Sequence, residues 1–389
     1  MRILQVNSML TGGGTDDQCL RLAHGLAARG HAVWLAAPED RELSPRVREL
    51  DLRLLPTERE GPLKLGFIRS VARHCREQGV EILHAHHGRD IWPAILAARW
   101  SGVRPWVVLT RHLAKSPSSW LSRRFLLSQC DRLIAVSEFV ARVLREGVYE
   151  PESPVEERRA RPPLRGDPRR IVVAQGGIDP LRFQPGDASD QRRAWGLEPH
   201  QVAFGVVGGY DLPRGKGQRE FLQAAAAIHR RVPDARFLIL GRGSMAAILQ
   251  ADIERLGLRG IASLAPYCHD MPRAMNALDC LVHPQVATDA FPTVILEAMA
   301  CNKPVVATRC DGAPEQFRDG EHGLLVPMED PTALGAAMER IAGDAAFRAR
   351  LGQDGRRHVL AHFTLDLLAD RVLAIYESMR AEAEPEGRG

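Results

Sequence analysis

The sequence predicts an α/β protein made of two doubly wound parallel sheets. Short runs rich in β-branched residues alternate with longer amphipathic stretches, and this alternation occurs in two successive series. The length of 389 residues suits two or three domains. With 52 Lys and Arg against 48 Asp and Glu, the balanced charge disfavours both disorder and a nucleic-acid-coating role.

The first series begins at the N-terminus. Its predicted strands are 2–7, 32–37, 82–84, 106–110, 133–136 and 171–174, with helices such as 16–29 and 63–78 between them. Paired glycines before a proline, at Gly176-Gly177-Ile178-Asp179-Pro180, end the series and predict a hinge. The first domain is therefore expected to span residues 1–178.

The second series has predicted strands at 202–207, 236–240, 262–264, 280–283 and 305–308. It defines an expected second domain over residues 179–363. Beyond it, apolar residues at helical spacing predict a last amphipathic helix over about 364–380, which is expected to pack back onto the first domain. These residues are Leu365, Leu368, Val372, Ile375 and Met379.

The sequence also predicts the cellular setting. Seven cysteines without a C-x-x-C pair fit neither a disulfide framework nor a zinc cluster, so we expect reduced, mostly buried thiols. No apolar run approaches the roughly 18 residues that span a bilayer. The N-terminal segment becomes polar too early for a signal peptide, so the expected location is cytoplasmic.

One stretch, residues 150–170, differs in composition from the rest. It contains five prolines, and six arginines lie between positions 158 and 170, so it is predicted to be a loop. It could contact an acidic lipid surface or an acceptor, but a solvated insertion is the simpler interpretation.

Gly12-Gly13-Gly14 follows the first strand and precedes a helix with two aspartates in its first turn. Glycines permit close approach of the backbone to a ligand, and a helix N-terminus favours an anion. The segment is not a dinucleotide fingerprint, because Asp17 stands where a G-x-G-x-x-G motif needs glycine. A plain strand-to-helix turn remains the alternative.

Histidines follow two predicted strands. His84, His86 and His87 could be imagined as metal ligands, but no carboxylate motif accompanies them and the chain contains no Asp-x-Asp, which predicts a metal-free protein. His112 stands just past strand 106–110, at the carboxyl edge where open α/β sheets bind ligands. A structural role is the alternative for this lone histidine.

Two segments of the second series place charged side chains at a turn and around a helix start. Gly208 and Gly209 end a strand, and Arg214-Gly215-Lys216-Gly217 then places two cations ahead of a helix, a combination that suits a diphosphate. A solvated basic turn is the alternative. Further on, the segment 289–297 begins with Asp289 and ends with Glu297, and a helix start at Pro292-Thr293 lies between the two carboxylates.

Together these motifs resemble the retaining glycosyltransferases of family 4. The resemblance extends over essentially the whole chain and is closest to the lipopolysaccharide-core type. The motifs that carry it are Gly12 to Gly14, His112, Val136-Ser137-Glu138-Phe139, Gly176 to Asp179, Arg214 to Gln218, Asp289 through Thr308, and Gly312-Ala313-Pro314-Glu315. The resemblance implies the GT-B fold, in which two Rossmann-like domains face each other across a cleft.

The resemblance also implies a reaction. A sugar would move from a nucleotide-diphosphate donor to a hydroxyl of a glycan or lipid-linked acceptor, in cell-envelope polysaccharide or lipopolysaccharide synthesis, without a metal or other cofactor. The implied catalytic residues are His112, Asp289, Arg214 and Lys216. The implied donor-binding residues are these two cations together with Gly13, Gly14, Gly208, Phe291, Pro292, Thr293, Val294 and Glu297. In this scheme His112 and Asp289 contact the sugar and Glu297 the ribose.

The sequence departs from the family pattern at two places. Asp289 stands where the family has glutamate, which shortens the side chain by one methylene. The turn after Gly208 lacks the usual arginine and is two residues longer, and Arg214 could replace that arginine from the other side.

The segment 113–130 combines aromatic and basic residues, including Trp120, Arg123, Arg124 and Phe125. Such a face could contact the inner membrane, although an ordinary helix with its apolar side packed inward would look similar. Two other classes of function also stay open. One is a nonhydrolysing sugar-nucleotide epimerase, and the other is a catalytically inactive sugar-nucleotide-binding subunit.

Overall fold

The computed structural model describes residues 1–8, 14–38, 47, 49–57, 65–114, 116–147, 162–266 and 268–383. The chain forms two compact units. The first contains the described residues up to Gly177 and the last helix from Leu365, and the second contains the described residues from Ile178 to Thr364.

The first unit contains a parallel sheet of seven described strands in the order β3-β2-β1-β4-β5-β6-β7. Its strands are β1 (Arg2–Val6), β2 (Ala32–Ala37), β3 (Arg53–Pro56), β4 (Ile82–Ala85), β5 (Trp106–Arg111), β6 (Arg132–Ala135) and β7 (Ile171–Val173). Its described helices are α1 (Gly14–Ala28), α2 (Leu65–Gln78), α3 (Ile91–Trp100), α4 (Trp120–Gln129) and α5 (Glu138–Glu146). The strand order reverses at β1 and β4, as in doubly wound sheets.

The last helix, α13 (Leu365–Ala383), packs on α1 of this first unit. A β-carbon added at Gly25 would lie 3.1 Å from Cβ of Ala369, so the small residue allows a close helix contact. At the exposed rim, Arg29 donates to Asp370 Oδ1 at 2.7 Å. Tyr376 is fully buried, so its apolar ring joins the core formed by α1 and the sheet.

The second unit has a parallel sheet of six described strands in the order β10-β9-β8-β11-β12-β13. They are β8 (Val202–Val207), β9 (Ala235–Leu240), β10 (Ala262–Leu264), β11 (Cys280–His283), β12 (Val305–Thr308) and β13 (Leu324–Val326). The helices are α6 (Ser189–Ala194), α7 (Gln218–Ile228), α8 (Ala246–Arg255), α9 (Met271–Ala277), α10 (Thr293–Ala300), α11 (Pro331–Gly343) and α12 (Ala345–His362).

Three phenylalanines form the centre of the core of the second unit. Phe204 and Phe237 lie on neighbouring strands with ring centroids 5.7 Å apart, and Phe221 of α7 meets Phe237 edge-on at 5.8 Å. All three are fully buried. They fix α7 against the sheet, and thereby the turn that precedes this helix.

The two parallel sheets confirm the predicted α/β fold class, and each predicted strand is present within a residue or two of its expected ends. The sequence analysis did not predict β3 and β13. Both are short outermost strands, of four and three residues, with too little alternation to stand out. All seven cysteines are free thiols and six are buried, in agreement with the expectation. Among the described helices, none is both long and apolar enough to cross a bilayer.

Candidate functional site

The candidate site of the second unit lies at the carboxyl edge of its sheet. Three segments meet there: the glycine turn after β8, the end of β11 at His283, and the loop that leads into α10. Parallel strands all end at the same edge, which is where open α/β sheets bind their ligands.

The glycine turn is pressed against the end of β11. Gly217 has a φ of +82°, and a β-carbon there would lie 1.8 Å from the Pro284 carbonyl oxygen. Gly208 has a φ of +146°, and a β-carbon there would lie 3.1 Å from Cδ of Lys216. Glycine is therefore required at both positions, and the turn directs the Lys216 stem along the Gly208 backbone.

Lys216, Asp289 and His283 come together at this edge. The Lys216 ammonium lies 2.7 Å from Asp289 Oδ2, and His283 Nε2 lies 3.6 Å from the same oxygen. The side chain of Asp289 is 15% exposed and that of Lys216 is 37% exposed, so the pair is partly shielded but open to a ligand. The sequence analysis selected Lys216 and Asp289, and the structure brings them into contact.

The sequence analysis missed His283. It ends a buried strand directly before Pro284 and six positions ahead of Asp289, and this position was the only signal in the sequence. Burial lowers the pKa of His283 to about 4, an effect that Asp289 opposes and Lys216 reinforces. The ring is therefore neutral at pH 7.

Arg214 pairs with a different carboxylate. Its Nη1 donates to Glu329 Oε1 at 2.6 Å, whereas Lys216 is held by Asp289. The turn thus carries two cations, each with its own carboxylate. Gln218, which is fully buried, closes the turn because it accepts from the Lys216 amide at 2.6 Å and donates to the Gly209 carbonyl at 3.3 Å.

The segment 291–297 forms the start of α10. Phe291 is buried with its ring centroid 5.8 Å from that of Phe363, and Pro292 precedes the helix without a side-chain cap. Thr293 and Val294 are half-buried in the first turn, and Glu297 is half-buried one turn further along. A helix N-terminus leaves its first amides without carbonyl partners within the helix, an arrangement that attracts phosphate, although the Ile295 amide already donates to the Pro292 carbonyl at 3.3 Å.

Three buried polar atoms at this edge have no hydrogen-bond partner within the described residues. They are His283 Nε2, Gln285 Oε1 and Gln316 Oε1. Gln285 follows the end of β11, and Gln316 donates from Nε2 to the Pro292 carbonyl at 3.0 Å, so both lie beside the segment 284–293. Buried polar groups normally have partners, and unpaired ones concentrated at one edge indicate a place where a polar ligand or water completes the hydrogen bonds.

The first unit has its own set of polar residues at the carboxyl edge of its sheet. Among the predicted residues, His112 directly follows β5, Gly14 opens α1, and Gly13 lies outside the described residues. Asn7, which follows β1, donates from Nδ2 to Asp16 Oδ1 of α1 at 3.0 Å. The Nε2 atom of His112 is buried and has no hydrogen-bond partner in the described part of the chain.

Behind His112 lies a chain of buried hydrogen bonds. His84 contacts the Tyr376 hydroxyl through Nδ1 at 2.6 Å and Thr110 Oγ1 through Nε2 at 2.7 Å. His86 contacts Gln5 Oε1 at 2.5 Å, and its ring lies 4.2 Å from that of His84. His84 and Gln5, both in contact with the Tyr376 hydroxyl, therefore hold the last helix to the sheet through polar contacts in the core.

His84, His86 and His112 are neutral at pH 7. Burial lowers the pKa of His84 to about 3 and that of His112 to about 4, and it lowers the pKa of His86 well below its usual value. Within the described residues, no group of three or more His, Cys, Asp or Glu side chains has an arrangement that could hold a metal ion.

Solved structures share this architecture over nearly the whole chain. A glycosyltransferase of Rickettsia africae superposes with a TM-score of 0.81 at 20% identity, covering 97% of this chain and 98% of that one. Anabaena HepE, crystallised with UDP and glucose, superposes with a TM-score of 0.80 at 20% identity, covering 97% of this chain and all of HepE. The two parallel-sheet units thus define the GT-B fold class.

Sequence comparisons then identify the family. The model for glycosyl transferases group 1 matches residues 201–344, and the model for glycosyltransferase family 4 matches residues 12–156. The D-inositol 3-phosphate glycosyltransferase of Corynebacterium urealyticum is 30% identical over 94% of this chain and 91% of its own length. The chain belongs to this family of group 1, family 4 glycosyltransferases.

Proposed function

We propose that this glycosyltransferase moves a sugar, with retention of anomeric configuration, from a nucleoside-diphosphate sugar to an acceptor hydroxyl. One observation carries the proposal: Lys216 and Asp289 are 2.7 Å apart, between the glycine turn and the N-terminus of α10. A diphosphate needs a cation and free amides, and a sugar needs a carboxylate for its hydroxyls. This edge supplies all of these groups.

The chemical problem of the reaction is charge. When the bond between the anomeric carbon and the phosphate oxygen breaks, the diphosphate gains negative charge and the sugar becomes electron-poor. Lys216, Arg214 and the first-turn amides of α10 are proposed to stabilise the leaving diphosphate. Asp289 is proposed to contact the sugar, and Glu297 the ribose.

The proton balance requires no protein base. The acceptor oxygen bonds to the anomeric carbon on the face that the phosphate leaves, and the acceptor proton passes to a phosphate oxygen. Because Lys216 and Arg214 can neutralise the diphosphate, the proposed reaction requires no metal. Turnover is therefore expected to survive excess chelator, and activity that is lost with EDTA and restored by Mg²⁺ or Mn²⁺ would overturn this part of the proposal.

For the acceptor we propose a lipid-linked or glycan hydroxyl of the cell envelope, as in lipopolysaccharide synthesis. The support comes from α4, where Trp120 is 64% exposed and Leu121 is 49% exposed. The Arg124 guanidinium lies 5.1 Å from the centroid of the Phe125 ring on the same helix. The Arg165 amide donates to the Arg123 carbonyl at 2.8 Å, which places a further arginine of the basic stretch beside α4.

This basic and aromatic surface suits an anionic membrane. Aromatic side chains insert at the headgroup level while arginines pair with acidic lipids. We expect the protein to sediment with vesicles that contain phosphatidylglycerol, and the double variant Trp120→Ser/Phe125→Ser to lose this binding. Leu181→Ser is the control, since this residue of the second unit is also exposed. Equal binding of wild type and the double variant would exclude the membrane contact.

A soluble inositol phosphate is a second candidate acceptor. It is favoured by the Corynebacterium urealyticum relative, which is a D-inositol 3-phosphate glycosyltransferase 30% identical to this chain. The arginines between positions 158 and 170 could bind the phosphate of an inositol phosphate or that of a lipid-linked acceptor, so they do not distinguish the two. The α4 surface is the feature that favours a lipid-linked acceptor.

The first experiment is a thermal-shift screen of UDP, GDP and ADP sugars. A ligand at a hundred times its Kd raises stability by about 2.7 kcal/mol, which is easily seen. Transfer of labelled sugar is then measured with inositol 3-phosphate, with a lipid-linked glycan, and without acceptor. Isomerised donor in the absence of acceptor would indicate an epimerase, and binding without any turnover would indicate an inactive subunit.

A further inference from the structure

His283 has no assigned role, although it contacts the proposed sugar-binding carboxylate. Its ring is 2% exposed, and Nε2 has no hydrogen-bond partner in the described part of the chain. The polar atom that it faces is Asp289 Oδ2, at 3.6 Å. The same oxygen is the one that Lys216 holds at 2.7 Å. One carboxylate oxygen therefore has two candidate donors, one charged and exposed, the other buried.

We propose that His283 is a positioning residue for Asp289, an inference that rests on the proposed function. When the diphosphate of the donor draws Lys216 away, the Nε2–H of His283 donates to Oδ2 and keeps the carboxylate in place. The other oxygen, Oδ1, is then directed at the sugar.

The backbone geometry on both sides supports this exchange. The Thr308 hydroxyl donates to the Gln285 carbonyl at 2.8 Å and lies 3.4 Å from the His283 carbonyl, and the strand end packs closely against Gly217. The Asp289 amide donates to Asp311 Oδ2 at 3.1 Å, and its carbonyl accepts from the Gly312 amide at 3.3 Å. Because both backbones are anchored, a side-chain shift of less than 1 Å is enough to shorten the 3.6 Å distance between His283 Nε2 and Asp289 Oδ2 to that of a hydrogen bond.

The exchange also explains why a histidine suits this place. A second lysine would compete with Lys216 for the carboxylate, and an apolar residue would leave Oδ2 without a donor once Lys216 has moved. A neutral imidazole donates one hydrogen bond without adding charge next to an electron-poor sugar. Asp289 therefore keeps its full negative charge for the sugar hydroxyls.

The test uses three substitutions that differ in where they place a donor. Gln at position 283 puts its amide nitrogen near the former Nε2, Asn puts it near the former Nδ1, and Leu has none. We expect His283→Leu and His283→Asn to raise the KM for UDP-glucose roughly ten- to hundredfold, the value of one hydrogen bond to a charged group. His283→Gln should recover most of this loss.

Binding of free UDP separates positioning from folding. The Kd for UDP should change less than twofold in all three variants, because UDP lacks the sugar. In the Asp289→Asn background, His283→Leu should have little further effect on the KM, since the histidine acts through that carboxylate. If a GDP or ADP sugar gives a larger thermal shift than UDP-glucose, that sugar and its free nucleoside diphosphate replace UDP-glucose and UDP in these measurements.

Four outcomes would contradict the inference. His283→Gln as impaired as His283→Leu would indicate a packing role only. Parallel losses of UDP and UDP-glucose binding would have the same meaning. If His283→Leu does not fold, the comparison of His283→Gln with His283→Asn decides instead, and equal KM values overturn the proposal. A wild-type protein that binds no nucleotide sugar at all would overturn the proposed function as well.

Discussion

The two carboxylates of the segment 289–297 have different surroundings. Asp289 is held by Lys216 in the loop, whereas Glu297 is half-buried in α10. If Glu297 receives the ribose hydroxyls, Glu297→Gln should weaken binding of the free nucleoside diphosphate by roughly tenfold or more, because a charged acceptor is replaced by a neutral one. Asp289→Asn should not weaken it, since this change also releases Lys216 for the phosphates.

Calorimetry with the free diphosphate and with the intact donor checks this division of roles. Asp289→Asn should lose affinity or transfer only when the sugar is present. Equal losses of free diphosphate binding in both variants would show that the two carboxylates do not divide the ligand between them.

The two cations of the glycine turn give a second prediction at this scale. If Arg214 substitutes for the missing family arginine, Arg214→Ala and Lys216→Ala should each lower kcat by about 10²- to 10³-fold, as for one lost oxyanion donor. The double variant should lose less than the product of the two, because both cations act on one charge.

Steady-state kinetics with Arg219→Ala as the control checks this prediction. Arg219 is the next arginine along the chain, and its guanidinium pairs with Asp252 instead of the site carboxylates. Near-wild-type turnover of Arg214→Ala beside an inactive Lys216→Ala would mean that Arg214 serves only its ion pair with Glu329.

At the scale of elements, the turn between β8 and α7 depends on close backbone contact. Gly217→Ala should destabilise the protein by several kcal/mol for two reasons. The new methyl would lie 1.8 Å from the Pro284 carbonyl oxygen, and alanine would be strained at a φ of +82°. Gly257→Ala isolates the second effect, since Gly257 has a φ of +69° and nothing within 4 Å of a β-carbon. That control should cost only about 1 kcal/mol.

Urea unfolding of both variants measures the difference. A Gly217→Ala protein as stable as Gly257→Ala would show that the turn can move away from the end of β11. In that case the position of Lys216 beside Asp289 would not depend on the glycine.

At the scale of the whole molecule, neutral histidines make stability depend on pH. Burial lowers the pKa of His84, His112 and His283 to about 3, 4 and 4, below the value of about 6.5 in the unfolded chain. The unfolded chain therefore binds more protons between pH 6.5 and 4. The stabilisation is complete above pH 6.5 and is lost as the pH falls towards 4.

Urea unfolding at pH 7.5, 6.5 and 5.5 tests this dependence, in a range where most carboxylates stay ionised. Below pH 6.5, each neutral histidine should contribute up to about 1.4 kcal/mol per pH unit to the slope of the unfolding free energy against pH. If the free energy of unfolding stays constant or increases as the pH falls from 6.5 to 5.5, these rings accept protons in the folded protein.

The sequence by itself determined the two parallel sheets and the segments that meet at the candidate site. Alternating strands and helices are local patterns, and so are the glycines before α7 and the acid-bounded segment around Pro292. These features could be predicted because each depends on neighbours within a few residues. The two short outermost strands escaped prediction because they carry too little periodicity.

The tertiary structure alone decided which side chains meet. Lys216 and Asp289 are separated by 73 positions, Arg214 and Glu329 by 115, and Gln5 and Tyr376 by 371. Such contacts depend on the order of strands in each sheet, which brings distant strand ends to one edge. For the same reason His283 became visible as a partner of Asp289 only when β11 was placed beside β8 and β12. A single sequence contains each residue but not the strand order that places it.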